Sequence, residues 1–462
     1  MTLVQVGLFM MLALTGRAQP AQAAVPPAEL NAQDVSFLSG NVTLHGTIWA
    51  PTGAERPLPG VVLVSGSGPG PRAVSELEAK AFAGAGIVTL VYDKRTVGYS
   101  LFQRSYAQLA DDALAGVKLL HSYPNVDPTK VGLWGESEGT WVVSLAASKS
   151  ADVAFVILVG ATGVSPSQQQ SWFLGNILRH RGMSGSLLTT IEVTSLRLLV
   201  GCNLFPEANF DVIPFWEHLQ QPILAVWSNR EFSHPPQESS HLLQQAQARA
   251  GNTHYTIRFF ADSDPGLHLS TDGFTRSDGL TPGYANLVAN WVGAVAVGNP
   301  PLTSVETSPQ QDRQSQVLAP LAWYESPAAE LAAITLFLLA FAGYPLVALA
   351  RRINGRDQAS SVGWSARLTA TAGLITCLAL PVYLMAGLLL FPPGPLIAGR
   401  PLPWIALQAL ALMTVGSTVV TALRWRQRSS VIQRGEQMRL GLLILGGVVF
   451  GVWAIYWGLL IP

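Results

Sequence analysis

The chain has 462 residues, of which 49% are hydrophobic and only 12% are charged. Soluble domains carry about 25% charged residues, so this composition predicts membrane-spanning segments and at least two structural units. The 28 basic residues balance the 28 acidic ones and form no basic stripe, which argues against a nucleic-acid-binding protein.

The N-terminus, residues 1–24, has a short apolar run followed by small residues and an Ala21-Gln22-Ala23 site. The run is too short to cross a bilayer, and the basic start that is typical of a signal peptide is missing. The pattern still predicts a cleaved signal peptide, with an uncleaved anchor as the alternative.

Residues 33–297 have the pattern of a globular domain. A hairpin with a Gly40-Asn41 turn comes first, and short β-branched segments then alternate with helical ones. The predicted strands after the hairpin are 60–66, 86–93, 130–135, 153–160, 222–228 and 255–261, and the predicted helices are 73–85, 105–122, 138–149, 237–250 and 284–297. This alternation predicts an α/β fold with a mostly parallel sheet covered by helices. Residues 163–215 break the rhythm and are predicted to form a helical cap over the carboxyl ends of the strands.

The C-terminal part, 329–462, is predicted to be a membrane region. Residues 298–328 are rich in Pro, Ser and Gln and are predicted to be a linker. Four apolar runs follow at about 330–350, 368–391, 404–423 and 440–460, each near the roughly 20 residues that a spanning helix needs. We therefore expect four transmembrane helices that anchor the chain in a lipid bilayer and offer a surface for oligomerisation.

The arginines between these helices predict the orientation. The loop between the second and third runs has only Arg400. The loop between the first and second runs contains Arg351, Arg352, Arg356 and Arg367. The loop between the third and fourth runs contains Arg424, Arg426, Arg428, Arg434 and Arg439. Basic loops stay in the cytoplasm, so residues before 330 are expected on the outer face. Together with the predicted signal peptide, this indicates a multi-pass protein of a bacterial inner membrane, with its globular domain on the periplasmic or extracellular side.

A Gly-x-Ser-x-Gly pattern, Gly135-Glu136-Ser137-Glu138-Gly139, provides a candidate nucleophile. The pattern alone is weak, but a predicted strand leads into it and a predicted helix follows it, as in a nucleophile elbow. We therefore predict that Ser137 is a nucleophile and not an ordinary turn serine.

A serine nucleophile needs a base and an acid that orients the base, in the chain order serine, acid, histidine. His268 is the histidine that lies in a turn just after the last predicted strand; His234 and His254 lie in loops elsewhere. Glu231 follows the preceding strand and is the predicted acid, with Asp211, Asp262 and Asp264 as rivals.

The Gly-rich stretch "VVLVSGSGPGPR" directly follows a predicted strand and could supply oxyanion donors. The backbone amide of Ser67, or that of Gly66 beside it, would pair with the amide of Glu138. A phosphate-binding loop is the competing interpretation, but the Lys-Ser/Thr ending of such loops is missing. The two cysteines, Cys202 and Cys377, have no metal-ligand spacing and are not expected to form a disulfide, so no metal or cofactor is expected.

Residues 35–297 resemble the α/β-hydrolase superfamily, specifically its bacterial dienelactone-hydrolase-like and serine-aminopeptidase-like branch. The matching segments include "GVVLVSGSGPGPR", with Ser65 in place of the usual His, and "VYDKRTVGYS", with Thr96 in place of Gly. "PILAVWSNREFSHPPQES" resembles the acid-bearing segment, with Glu231 in place of the usual Asp, and "GESEGT" resembles the elbow. The resemblance implies Ser137 as nucleophile, Glu231 as acid and His268 as base, and it does not extend to the membrane region.

These features predict a membrane-anchored serine hydrolase that cleaves esters or related acyl bonds of a small-molecule substrate through an acyl-enzyme. A peptidase or thioesterase with the same triad is one alternative, and a non-catalytic sensing or binding domain on a membrane anchor is another. The glutamates beside Ser137 suggest a hypothesis: if Glu138 points into the site, its carboxylate disfavours anionic substrates, and if not, it is a solvent-facing residue at the helix start.

Overall fold

The computed structural model describes residues 29–100, 102–354, 363–428 and 434–462. The predicted signal peptide at 1–24 lies outside these residues. The described chain contains a sheet-centred domain and, after residue 326, long apolar helices.

A nine-stranded sheet forms the centre of the first part, in the order β1-β2-β4-β3-β5-β6-β7-β8-β9. β1 pairs antiparallel with β2 and β2 with β4, whereas all the other pairs are parallel. The strands are β1 (Leu30–Ser39), β2 (Val42–Pro51), β3 (Leu58–Val64), β4 (Val88–Tyr92), β5 (Val126–Glu136), β6 (Val156–Val159), β7 (Ile223–Ser228), β8 (Tyr255–Phe260) and β9 (Ser304–Val305). β4, β6 and β7 are buried along their whole length, as their continuous apolar sequences predict for strands covered on both faces.

Helices cover both faces of this sheet. They are α1 (Glu76–Gly84), α2 (Tyr106–His121), α3 (Glu138–Lys149), α8 (Pro236–Ala250) and α9 (Tyr284–Ala296). On one face, Phe82 of α1 and Trp291 of α9 belong to one core, whereas Leu109 of α2 and Leu243 of α8 belong to a second core on the other face. Trp134 of β5 donates a 2.7 Å hydrogen bond to the hydroxyl of Tyr284 and so joins the sheet to α9. The predicted fold class is confirmed.

The connection between β6 and β7, where the sequence predicts a cap, is helical. It contains α4 (Pro166–His180), α5 (Ser186–Thr189), a π-helical turn (Thr190–Ser195), α6 (Leu196–Gly201) and α7 (Ile213–Trp216). α4 begins with Ser165, whose hydroxyl accepts the amide of Gln168 as an N-cap, and Pro166 occupies its first position.

Four helical segments at the C-terminus are long and apolar enough to cross a membrane: Pro327–Ile353, Gly363–Leu388, Leu402–Gln427 and Arg434–Tyr456. The first consists of α10 (Pro327–Phe337), a π-helical turn (Leu338–Ala342) and α11 (Gly343–Ile353). The others are α12 (Gly363–Leu388), α13 (Leu402–Arg428) and α14 (Arg434–Tyr456), and a short hairpin of β10 (Leu396–Ile397) and β11 (Arg400–Pro401) joins α12 to α13.

The segment predicted as a linker, 298–328, is packed and does not form a free tether. Its residues 304–305 form β9 at the edge of the sheet. Farther along, Glu238 of α8 accepts the amide of Ser315 at 2.8 Å, and Arg197 of α6 forms a two-pronged ion pair with Glu325. These partly buried polar contacts join residues that lie far apart in sequence, so composition alone could not predict them.

The cap and the membrane helices share one hydrophobic core. Leu174, Leu187 and Ile191 from the cap belong to the same buried cluster as Phe337 and Trp453 from the membrane helices. The cap therefore lies between the nine-stranded sheet and the four apolar helices.

Candidate active site

Ser137 lies on a sharp turn between β5 and α3. Its backbone has φ 51° and ψ −117°, a conformation that costs energy for a residue with a side chain. The flanking glycines make this turn possible: a Cβ on Gly135 would lie 2.4 Å from the carbonyl oxygen of Gly139, and one on Gly139 would lie 2.2 Å from that of Val64. The Gly-x-Ser-x-Gly spacing thus has a steric cause, and it presents Ser137 at the carboxyl end of the sheet.

His234 is the histidine that contacts Ser137. Its Nε2 lies 3.0 Å from Ser137 Oγ, and its Nδ1 lies 3.2 Å from Oε1 of Glu231. Glu231 Oε1 also accepts the backbone amides of Ser233 and His234, at 2.8 and 3.1 Å. A carboxylate at Nδ1 favours the tautomer with its proton there, which leaves Nε2 free to accept the proton of Ser137.

The structure differs from the prediction for the base. His268 does not hydrogen-bond to Ser137 among the described residues; its Nε2 lies 3.3 Å from Glu78 Oε1 and its Nδ1 3.8 Å from Asp264 Oδ1. The cause is the tight turn around it, in which Asp264 accepts the amides of Gly266 and His268. The loop therefore directs the His268 ring towards α1. The sequence predicted that Glu231 would contact His268, but in the structure it contacts His234.

The rival acids have other partners. Asp211 accepts the amide of Ile213, Asp262 forms an exposed ion pair with Arg230, and Asp264 accepts a 2.6 Å hydrogen bond from Arg276. Glu231 is therefore the carboxylate that the structure places on the histidine next to Ser137.

A second group of titratable side chains lies behind the elbow. Burial raises the pKa of Glu78 to about 7, against the opposing influence of His268, and burial also raises the pKa of Glu136. Burial disfavours ionisation of Asp264 too, but hydrogen bonds from His268 and Arg276 outweigh it and lower the pKa of that carboxyl. No group of three or more His, Cys, Asp or Glu side chains in the described part of the chain is arranged to hold a metal ion.

The Gly-rich loop after β3 lies next to the nucleophile. A Cβ on Gly66 would lie 3.4 Å from Cβ of Ser137, an ordinary van der Waals contact, so the loop passes directly beside the nucleophile. Glu138 is the first residue of α3, and the amide of a first helical residue has no acceptor within its own helix. The loop with Gly66 and Ser67 and the start of α3 thus flank Ser137, and the role of their amides as oxyanion donors stays a prediction.

The carboxylate of Glu138 does not face solvent. It accepts hydrogen bonds from Lys94 at 3.1 Å, Tyr99 at 2.7 Å and Arg104 at 2.6 Å, and its side chain is 1% exposed. Lys94 also donates to the carbonyl of Gly66, and the Tyr99 hydroxyl accepts the amide of Gly68. Two cations therefore neutralise Glu138, and the same side chains connect the Gly-rich loop to the start of α3.

A cavity of about 810 Å³ opens in front of Ser137. Its polar lining comes from the loops after β3 and β4, and its apolar lining comes mainly from the cap and from the end of α12, including Phe173, Leu196, Leu199, Met385, Leu388 and Leu389. This volume lies in the range of about 300–1,000 Å³ that is typical of ligand sites.

Sequence analysis missed His234, although a signal for it was present. Glu231 and His234 stand three residues apart in one loop, close enough for the carboxylate to bond both the amide and the ring of the histidine. The position of His268 in a turn just after the last predicted strand favoured it instead, and only the packing of the two loops distinguishes the candidates.

No family model and no curated protein matches the chain. Among solved structures, it is similar to 2,6-dihydroxy-pseudo-oxynicotine hydrolase, with 16% identity over 61% of this chain and 72% of that one, at a TM-score of 0.42. It is similar also to a dienelactone hydrolase from Anabaena variabilis (16% identity, 59% and 99% covered, TM-score 0.35). A third is dipeptidyl peptidase 4 from Porphyromonas gingivalis (15% identity, 58% and 35% covered, TM-score 0.39).

The fold follows from the arrangement of the chain itself. An antiparallel β2 stands beside parallel strands, the nucleophile turn joins β5 to α3, and helices cover both faces of the sheet. Ser137 has the backbone strain of a nucleophile elbow at the carboxyl end of a central strand. Together these features show that the chain has the α/β-hydrolase fold.

Proposed function

We propose that this protein is a membrane-bound serine hydrolase that cleaves ester or related acyl bonds. The observation that carries the proposal is the continuous chain from Ser137 Oγ to His234 Nε2 and from His234 Nδ1 to Glu231 Oε1, at 3.0 and 3.2 Å. A serine on a strained elbow that is hydrogen-bonded to an oriented histidine is the arrangement that activates a hydroxyl nucleophile.

In the first half-reaction, Ser137 Oγ attacks the acyl carbon while His234 Nε2 accepts the hydroxyl proton. Glu231 holds the ring and stabilises the imidazolium that forms. The tetrahedral intermediate collapses, the bond to the leaving group breaks, and His234 returns the proton to that group. In the second half-reaction, His234 takes a proton from water, whose oxygen attacks the acyl carbon. The bond to Ser137 Oγ then breaks, His234 returns the proton to that oxygen, and the acid is released.

The negative oxygen of each tetrahedral intermediate would be held by backbone amides. The amide of Glu138 at the start of α3 provides one donor, and the amide of Ser67 or Gly66 provides the other. Loss of one such donor typically slows an acyl transfer by about 10²–10³.

Labelling with a fluorophosphonate tests the proposal. Wild-type protein should be labelled, and Ser137→Ala should not. His234→Ala should lower the labelling rate by about 10²–10⁴, as expected for loss of a general base. His268→Ala is the matched control and should keep most of the rate; a loss confined to His268→Ala would show that His268 is the base, and labelling of Ser137→Ala would rule out this nucleophile.

A peptidase or a thioesterase would use the same three side chains. Parallel assays with nitrophenyl esters, nitroanilides and acyl thioesters separate these reactions, and we expect the ester to have the highest kcat/KM. No turnover in any assay, together with no labelling, would leave a non-catalytic binding domain as the function.

For the location, we propose a bacterial inner membrane with the hydrolase domain on the outer side. Arg351 and Arg352 end α11, and a Cβ on Gly435 at the start of α14 would lie 3.3 Å from the guanidinium of Arg351, so the start of α14 lies at the same end. The cap lies at the other end, where Ser184 donates its amide to Gly399. The basic residues thus lie at the end of the helices that is away from the hydrolase domain, and basic loops stay in the cytoplasm, which supports this orientation. External protease should degrade the domain in spheroplasts, and its survival would reverse the orientation.

A further inference from the structure

The cavity at Ser137 extends beyond the hydrolase domain to a membrane helix. Met385 and Leu388 of α12, with Leu389 just after its end, line the same cavity as Ser137. Met385 is 42% exposed and Leu389 is 51% exposed, so these residues lie at the opening of the cavity. In a protein whose helices only anchor the domain, a spanning segment would have no reason to form a wall of the catalytic site.

The apolar side chains of the cap continue this wall. Leu196, Leu199, Leu204 and Phe205 line the cavity between the catalytic turn and α12. Leu204 is 43% exposed at the surface of the cap, which places a further apolar side chain at the opening. A small water-soluble ester needs no such wall, because exposed apolar surface at an opening has a free-energy cost in water unless it is covered.

Contacts between the cap and the ends of the membrane helices hold this arrangement in place. Arg181 donates to the carbonyl of Leu390 at 2.9 Å, and the hydroxyl of Ser186 lies 2.8 and 2.9 Å from the carbonyl oxygens of Gly458 and Ile461, between which its single hydrogen is shared. A Cβ on Gly387 would lie 2.7 Å from Ile191, so α12 packs closely against the cap beside the cavity.

Exposed aromatic residues mark the level of the bilayer surface. Trp323 and Tyr324, immediately before α10, are 84% and 61% exposed, and Phe391, just after α12, is 60% exposed. Aromatic side chains at the ends of spanning helices sit at the membrane–water interface. The cavity opening at Met385 and Leu389 lies at the same end of the helices and therefore at the bilayer surface.

We propose that the substrate is a membrane amphiphile, a long-chain acyl ester that enters from the bilayer between the cap and α12. This inference rests on the proposed hydrolase function. The scissile carbonyl lies at Ser137, the acyl chain lies along the apolar side chains of the cap and α12, and the polar part of the ester faces the loops after β3 and β4. Because the cavity opens towards the bilayer, an insoluble ester reaches Ser137 without passing through water.

The test uses the full chain in vesicles of phosphatidylethanolamine and phosphatidylglycerol. We expect a higher kcat/KM for nitrophenyl palmitate than for nitrophenyl acetate. Each methylene group moved from water to an apolar site favours binding by about fourfold. Leu389→Trp and Met385→Trp should lower the palmitate-to-acetate ratio by about tenfold or more, because a larger side chain fills the space of two or more methylene groups.

Val382→Trp is the matched control, since Val382 lies on α12 with 71% exposure and does not line the cavity. An unchanged ratio in this variant and a lower ratio in the other two support the proposal. Equal ratios in all three variants, or a preference for acetate in the wild type, would overturn it.

A second arm identifies the source of the substrate. Palmitate ester placed in the same vesicles as the protein should be cleaved much faster than ester supplied in separate vesicles; equal rates would overturn entry from the bilayer.

Fluorophosphonate labelling distinguishes failure of the substrate proposal from failure of the hydrolase proposal. Labelled protein that cleaves acetate without a chain-length preference contradicts only the substrate class, whereas unlabelled and inactive protein contradicts the hydrolase function and this inference together.

Discussion

At the scale of single residues, the two glutamates beside Ser137 have different surroundings. Glu138 is surrounded by Lys94, Tyr99 and Arg104, whereas Glu136 faces the group that contains His268 and Arg276. The carboxylate of Glu138 therefore compensates buried positive charge and positions the Gly-rich loop through Lys94. This geometry replaces the hypothesis that Glu138 repels anionic substrates or merely faces solvent.

We predict that Glu138→Gln destabilises the protein by about 3–5 kcal/mol, the usual effect of breaking a buried ion pair. Lys94, with a side chain that is 4% exposed, would be left as an uncompensated buried charge. Glu136→Gln is the control and should cost less, because burial already disfavours its charge. Denaturant unfolding measures the free energy of unfolding of both variants. An equal decrease in the two would contradict the stabilising role of the ion pair between Glu138 and Lys94.

We further predict a pH dependence of stability from Glu78. Its folded-state pKa is about 7 against an ordinary value of 4.5, so the folded state binds its proton more tightly than the unfolded state does. The stabilisation is complete below pH 4.5 and is lost as the pH rises to about 7, by about 3 kcal/mol. His268, Glu136 and Arg276 face Glu78 and also influence this range.

The measurement is the difference between wild type and Glu78→Gln in unfolding free energy across this range. The variant should lose the decline between pH 4.5 and 7, because its amide does not titrate. Parallel curves for the two proteins would contradict the assignment to Glu78.

At the scale of elements, the segment between α9 and α10 connects the sheet, the cap and the membrane helices. Its strand β9 extends the sheet, Ser315 bonds to Glu238 of α8, and Arg313 lies over the ring of Trp172 in α4. Arg197 of α6 donates to the carbonyls of Ala319 and Pro320 as well as to Glu325. These contacts fix the cap relative to the start of α10.

We predict that Arg197→Ala increases tryptic cleavage after Arg313, because it removes the ion pair with Glu325 and the bonds to two carbonyls. The pair is largely buried, with side chains 15% and 10% exposed, so its loss also leaves the carboxylate unpaired. Arg249→Ala, which removes a more exposed pair with Glu217, is the control. Equal cleavage rates in both variants would contradict the role of Arg197.

At the scale of the whole molecule, the hydrolase domain and the membrane helices depend on each other. The cap contributes Leu178, Leu187 and Ile191 to the core that contains Phe341 and Phe450 of the membrane region. Each fully buried side chain of this kind stabilises by about 1.5–3 kcal/mol relative to its exposed state. The cap is therefore not an independent lid of a soluble enzyme.

We predict that a chain ending before α10 exposes this apolar face of the cap and associates or binds hydrophobic dyes. Size-exclusion chromatography and dye fluorescence of the truncated and full-length proteins measure the effect. A truncated protein that is monomeric, binds no dye and keeps full esterase activity would show that the cap needs no membrane helices.

The sequence by itself determined the features that depend on local spacing and composition. The glycines around Ser137 fix the turn because any Cβ there would collide with backbone, and alternating β-branched and helical segments fix the α/β fold. Composition and run length were enough to locate the four apolar helices.

Only the tertiary structure decided which histidine lies next to Ser137 and what lines the cavity. Glu231 and His234 lie in one loop and His268 in another. A hydrogen bond from the His268 amide to Asp264 and the contact of the His268 ring with Glu78 hold His268 elsewhere. The walls of the cavity come from loops, cap and α12, which are far apart in the chain. Contacts of this kind depend on how distant elements pack, and no local pattern of residues encodes them.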